Sequence, residues 1–127
     1  MLNKVRENSD LPNSSEYHIR IKTTNNFPTA CGLASSASGF SCLALCLAHA
    51  FKYRGDVSEL ARLGSGSACR SCYGGFVKWN ASDSSATSIS KSFCTDKHWP
   101  EFNILALVLE DERKKVYLIT IKKSKLI

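Results

Sequence analysis

Residues 23–51 contain no Asp, Glu, Lys or Arg. This absence constrains the fold more than any other feature, because an uncharged stretch cannot supply the solvated face of an ordinary surface helix. The stretch opens on Asn25-Asn-Phe-Pro28, which ends whatever precedes it. A loop of Gly, Ser and Ala follows over 29–39. A helix is then expected to about Lys52, apolar almost all round through Phe40, Leu43, Ala44, Leu45, Leu47, Ala48 and Phe51. Such a helix is predicted to be buried.

Around this segment the pattern reads as mixed α+β. Residues 1–15 are mostly polar and are expected to be a flexible N-terminal segment. Residues 17–23 alternate and include β-branched side chains, which predicts a strand with Tyr17, Ile19 and Ile21 on its apolar face. A short helix is expected over 58–63, a turn over 64–67 and a second short helix over 68–72, closed by Gly74 and Gly75. Residues 76–79 read as a strand. The Ser/Thr-rich stretch 82–92 reads as a loop entering a weak strand near 87–89. Residues 104–109 read as a buried strand, 110–115 as a charged turn and 116–121 as a further strand.

A chain of 127 residues has room for one modest domain and not for a two-domain enzyme. The net charge of +6, concentrated at Lys114, Lys115, Lys122, Lys123 and Lys125, suits an anionic ligand. No aromatic residues interleave with those lysines, so a solvated tail is favoured over nucleic-acid binding. The longest apolar stretch, 40–51, falls short of the ~20 residues that a membrane span requires. The first ten residues lack the apolar core of a secretory signal, so a soluble, cytoplasmic protein with reduced cysteines is expected. Cys69-Arg-Ser-Cys72 has the spacing of a zinc half-site, with Cys94 and His98 as a thin candidate for the second pair. Small buried thiols are the favoured reading, and no metal-ligating residues are assigned.

Two strings carry chemistry. The first is Pro28-Thr-Ala-Cys-Gly-Leu-Ala-Ser-Ser-Ala-Ser-Gly39. Small residues let a phosphate approach the backbone, and unpaired amides at a helix start favour negative charge. Ser35 and Ser36 add hydroxyls that can bond phosphate or a magnesium ion held by phosphates. The string lacks the Gly-Lys-Ser/Thr ending of a Walker loop. A helix start that merely packs closely against a sheet is the alternative. The second string is Gly64-Ser-Gly-Ser-Ala-Cys-Arg-Ser71, followed by Tyr73-Gly-Gly-Phe-Val-Lys-Trp79. Arg70 offers a planar fork matched to carboxylate or phosphate. The alternative is an arginine that caps a carbonyl or pairs with a surface acid.

The first string resembles the phosphate-binding loop of the GHMP superfamily, with one additional small residue between Pro28 and Gly32, as in the decarboxylase branch. The second resembles the signature of the diphosphomevalonate decarboxylases within that superfamily, and distinguishes them from its small-molecule kinases. Asn25-Asn-Phe-Pro28, Asp83-Ser84 and His98-Trp-Pro-Glu101 match as well. The resemblance implies a GHMP-type N-terminal domain of ribosomal protein S5 domain 2-like fold over 16–116, a mixed sheet packed with helices. It implies ATP-dependent decarboxylation of (R)-5-diphosphomevalonate to isopentenyl diphosphate in the mevalonate pathway of isoprenoid and sterol biosynthesis. ATP is then the co-substrate, with Mg2+, and the family is homodimeric. Gly32, Leu33, Ala34, Ser35, Ser36 and Ala37 would wrap the ATP phosphates. Ser65, Gly66, Ser67, Ala68 and Cys69 would contact the substrate diphosphate, and Arg70 would orient the substrate at its carboxylate and reacting hydroxyl.

The chain departs from the family pattern in three places. No Tyr-Trp-Gly-Lys type stretch precedes Tyr17, and the segment 58–63 is about one helical turn short. Residues 117–127 form a divergent basic tail in place of the family's continuation, and the family threonine and catalytic aspartate have no counterpart. On that ground the alternative is a non-catalytic truncated product with at most residual nucleotide binding. A small-molecule kinase is the remaining alternative.

Overall fold

The computed structural model describes residues 1–29 and 32–105. Its centre is α2 (Ser35–Ala50), which buries Ala37, Ser41, Ala44 and Leu47 and continues the same stripe to Phe51. These positions recur every three to four residues and so share one face. The helix starts earlier than its apolar run suggests, inside the Ser/Ala string. It is buried along this stripe and not all round: Phe40, Cys42, Leu45 and Cys46 are exposed. The lack of charge in the sequence forecasts burial on every side, but the described elements cover one face.

Two short helices close on that stripe. In α3 (Val57–Arg62), Leu60 and Ala61 enter the core. Asp56 caps α3, its Oδ1 accepting from the Ser58 and Glu59 amides at 2.8 and 3.1 Å. A 3-10 helix over Gly66–Cys72 contributes Ala68 and Cys69, both fully buried.

Residues 1–15, expected to be loose, contain α1 (Leu2–Glu7), whose Val5 is fully buried. Beyond it Ser9 bridges antiparallel to Tyr53, and the Arg54 amide donates to the Asn8 carbonyl at 3.1 Å. One apolar side chain per turn is enough to dock so short a helix once a core exists beneath it. Its polar neighbours hide that in the sequence.

The expected strand over 17–23 is not one among the described residues. These residues run beside α2, with Tyr17 in extended conformation and edge-on to Phe51 at a ring-centroid distance of 6.4 Å. Alternation produces an extended chain, but a strand also requires a hydrogen-bonded neighbour. The strand expected over 76–79 is present as β1 (Phe76–Trp79), paired antiparallel with β2 (Ser90–Cys94). The weak strand thus lies a few residues later than expected. Val77 faces Ser92, Lys78 faces Lys91, and Trp79 faces Ser90, with a bulge between Phe76 and Val77. Gly75 enters the pair at φ +75, and a side chain there would strike the Cys94 carbonyl. The sheet is tied to α3 through the buried Ser58, whose Oγ accepts from the Ser90 amide at 2.9 Å. Ile104 and Leu105 are exposed and outside any strand, and the rest of the strand expected over 104–109 lies outside the described residues. So do the turn at 110–115, the strand at 116–121 and the tail.

Candidate phosphate and carboxylate site

Gly32, Leu33 and Ala34 lead into α2 and are exposed, Gly32 at φ +91, a conformation a side chain would disfavour. Among the described residues no side-chain cap is made by Ala34 at the start of α2. The Ser35 amide donates to the Leu33 carbonyl at 2.8 Å and the Ser38 amide to the Ala34 carbonyl at 3.0 Å, and the helix dipole adds partial positive charge at this end. Asn25 braces this turn: its amide donates to the Ser35 carbonyl at 3.5 Å and its Oδ1 accepts from Ser38 Oγ at 3.3 Å. Ser35 is half-buried and Ser36 exposed, whereas Ala37 is 2% exposed and joins the core. Only the backbone of Ala37 can meet a ligand.

The second string packs against the same turn. Ser36 and Phe40 lie one turn apart on α2. Ser36 Oγ is 3.4 Å from Ser65 Oγ, a long hydrogen-bond contact. The Phe40 ring lies against Gly64, where a side chain would overlap it. Ser65, half-buried, starts the 3-10 turn by accepting from the Ala68 amide at 2.9 Å. Gly66 is exposed and Ser67 half-buried. The Ala68 and Cys69 side chains point into the core, where Cys69 Sγ donates to the Gly66 carbonyl at 2.9 Å. Any contact these two residues make with a ligand must again be through backbone. Cys72 donates toward the Ala68 and Val57 carbonyls at 3.5 and 3.8 Å. Burial, reinforced by Cys69 and Asp56, pushes its thiol up to about 11. Among the described residues no group of three or more His, Cys, Asp or Glu side chains could hold a metal ion.

Arg70 is exposed, and no described carboxylate pairs with it. Its Cζ lies 5.9 Å from the centroid of the Trp79 ring, at the outer range of a cation–π contact. The Trp79 indole N–H donates to Ser88 Oγ at 3.1 Å, and Ser88 is buried. Trp79 stands within the second motif, but sequence reasoning assigns it no part in the site. An aromatic nine residues beyond an arginine carries no local signal, since the two meet only when β1 folds back on the 3-10 turn. Asp83, Ser84, His98, Trp99 and Glu101 are exposed, and none makes a described contact with Ser36, Ser65 or Arg70. A separate groove of about 650 Å³ runs between residues 17–25 and α2, bordered by Tyr17, Ile19, Leu43, Cys46 and Phe51. It takes in Ser38 and Gly39 at the end of the first string but neither Ser36 nor Ser65.

The arrangement offers a helix N-terminus, two hydroxyls in contact and a guanidinium with no described carboxylate partner, a set suited to an anion with phosphate and carboxylate groups. The family model for the diphosphomevalonate decarboxylase-like N-terminal domain matches residues 1–90. The human diphosphomevalonate decarboxylase is 47% identical over 111 residues, covering 86% of this chain and 28% of that protein. The rat enzyme is 49% identical over 106 residues, 82% of this chain and 26% of that protein. Among solved structures, a mevalonate diphosphate decarboxylase from Trypanosoma brucei superposes with a TM-score of 0.54 at 54% identity, over 60% of this chain and 21% of that one. The chain spans about a quarter of the length of the curated relatives it matches.

Proposed function

Because the chain belongs to the family of diphosphomevalonate decarboxylase-like N-terminal domains, we propose that its two strings serve the ATP-dependent decarboxylation of (R)-5-diphosphomevalonate to isopentenyl diphosphate. The observation that carries this reading is the contact between Ser36 and Ser65, which sets a phosphate-type loop beside a second anion-type loop. In-line phosphoryl transfer needs its two anionic reactants held side by side.

In this reading Gly32, Leu33, Ala34, Ser35, Ser36 and Ala37 hold the ATP phosphates, mainly through backbone amides and the two hydroxyls. Ser65, Gly66, Ser67, Ala68 and Cys69 hold the substrate diphosphate, the last two through backbone alone. Arg70 pairs with the carboxylate and fixes the angle at which it leaves. The reading carries with it a GHMP-type fold, the cytoplasm as the place of action and a homodimeric whole enzyme. Magnesium fits as an ion carried by the nucleotide: the described residues offer hydroxyls, Ser36 first and then Ser35, and no carboxylate cluster. When bound it would screen phosphate charge.

The test is ATP-dependent CO2 release from 5-diphosphomevalonate, with Arg70→Ala alongside. Release that disappears in the variant supports the reading. ATP consumption without CO2 points to a small-molecule kinase. Calorimetry that detects binding of neither ATP nor 5-diphosphomevalonate sinks it.

A further inference from the structure

We propose that Trp79 is a positioning residue for Arg70, holding its guanidinium ready for the substrate carboxylate; the inference rests on the reading of Arg70 given above. Three observations carry it. Arg70 is exposed and lacks a described carboxylate partner, yet its guanidinium stands over the Trp79 ring, Cζ 5.9 Å from the centroid. The ring is itself fixed, because its N–H donates to the buried Ser88 hydroxyl at 3.1 Å. The same indole borders the loop, where a side chain added at Gly66 would come within 3.8 Å of Cη2. One ring therefore contacts the arginine and backs the loop that precedes it.

The physical advantage lies in what a ring contact leaves untouched. A carboxylate partner would neutralise Arg70 and occupy its N–H donors. A ring face attracts the cation through its quadrupole and takes no donor. The guanidinium keeps its charge and its fork for a bidentate carboxylate while a long side chain gives up part of its rotamer freedom before the ligand arrives. Phe or Tyr in place of Trp79 keeps a ring and loses the N–H donated to Ser88. Leu loses both.

The test compares two ligands that share a diphosphate and differ in the carboxylate and tertiary hydroxyl, the two groups assigned to Arg70. Calorimetry on the full chain measures 5-diphosphomevalonate and isopentenyl diphosphate against the parent, Trp79→Leu, Trp79→Phe and Ser88→Ala. Trp79→Leu is expected to weaken 5-diphosphomevalonate roughly three- to tenfold and leave isopentenyl diphosphate unchanged. Trp79→Phe should retain most of the discrimination. Ser88→Ala, which keeps the ring and frees it, should lose part, and it serves as the readout if Trp79→Leu does not fold. Equal loss for both ligands, or no loss for either, overturns the inference. A parent protein that binds both ligands equally well overturns the reading of Arg70 instead, and does so without any substitution at Trp79.

Discussion

Lys4 Nζ stands 2.5 Å from Glu59 Oε1, an ion pair that fastens α1 to α3. The same carboxylate oxygen accepts from Ser85 Oγ at 2.9 Å, and Arg62 in turn donates to Ser85. Glu59 thus joins the chain's first helix, its third helix and the loop before β2.

This junction predicts a pH dependence. Burial by itself would raise the Glu59 carboxyl, but hydrogen bonds from Lys4 and Ser85, aided by the charges of Lys4 and Arg62, outweigh it and hold the group below its ordinary 4.5. A carboxyl depressed on folding contributes stability that is complete above its unfolded value and is lost as pH falls through its folded one. The urea midpoint should therefore decline below about pH 4.5. Lys4→Met should cost about 1 kcal/mol at pH 7 and flatten that decline. An acid limb unchanged in Lys4→Met would remove the pair as its cause.

The fit of Gly64 against Phe40 predicts a steric penalty in the site. Gly64→Ala places a methyl group inside the present position of the Phe40 ring. Overpacking of this kind costs about 1–3 kcal/mol, and here it should also push Ser65 away from Ser36. Phe40→Ala added to Gly64→Ala should recover part of the loss. Urea unfolding of the two single variants and the double variant measures the coupling, and strict additivity would refute a direct clash.

Cys72 and the exposed Cys42 should react differently. Cys72, with its thiol at about 11 in place of the ordinary 9.0, presents little thiolate near neutral pH. Its alkylation by iodoacetamide at pH 8 should run roughly 100-fold slower than that of an exposed thiol with an ordinary value. Asp56→Asn, which removes a nearby negative charge and keeps a capping side chain, should speed it. Site-resolved mass spectrometry would decide, and labelling of Cys72 at the rate of the exposed Cys42 would contradict the burial argument.

Elements that depend on local chemistry are legible in the order of residues alone. The helix at Val57–Arg62 and the strand at Phe76–Trp79 lie within a residue of their expected bounds. A good capping residue and a short apolar run announce themselves without help from distant parts of the chain. The two strings are legible as runs of small and polar residues, because each is contiguous in sequence. The same locality misleads at residues 17–23, where alternation predicts a strand although pairing is supplied from elsewhere.

The sequence by itself thus determined the two strings of small and polar residues and where the short elements begin. Only the tertiary structure decided which face of α2 is covered, that the side chains of Ala37, Ala68 and Cys69 turn inward, and that Val5 docks a polar-looking start. It alone brought Ser36 to Ser65, Lys4 to Glu59 and Arg70 to Trp79. The reason is physical: propensity and spacing act over a few residues, whereas these contacts form only after burial of the α2 stripe has brought distant segments together.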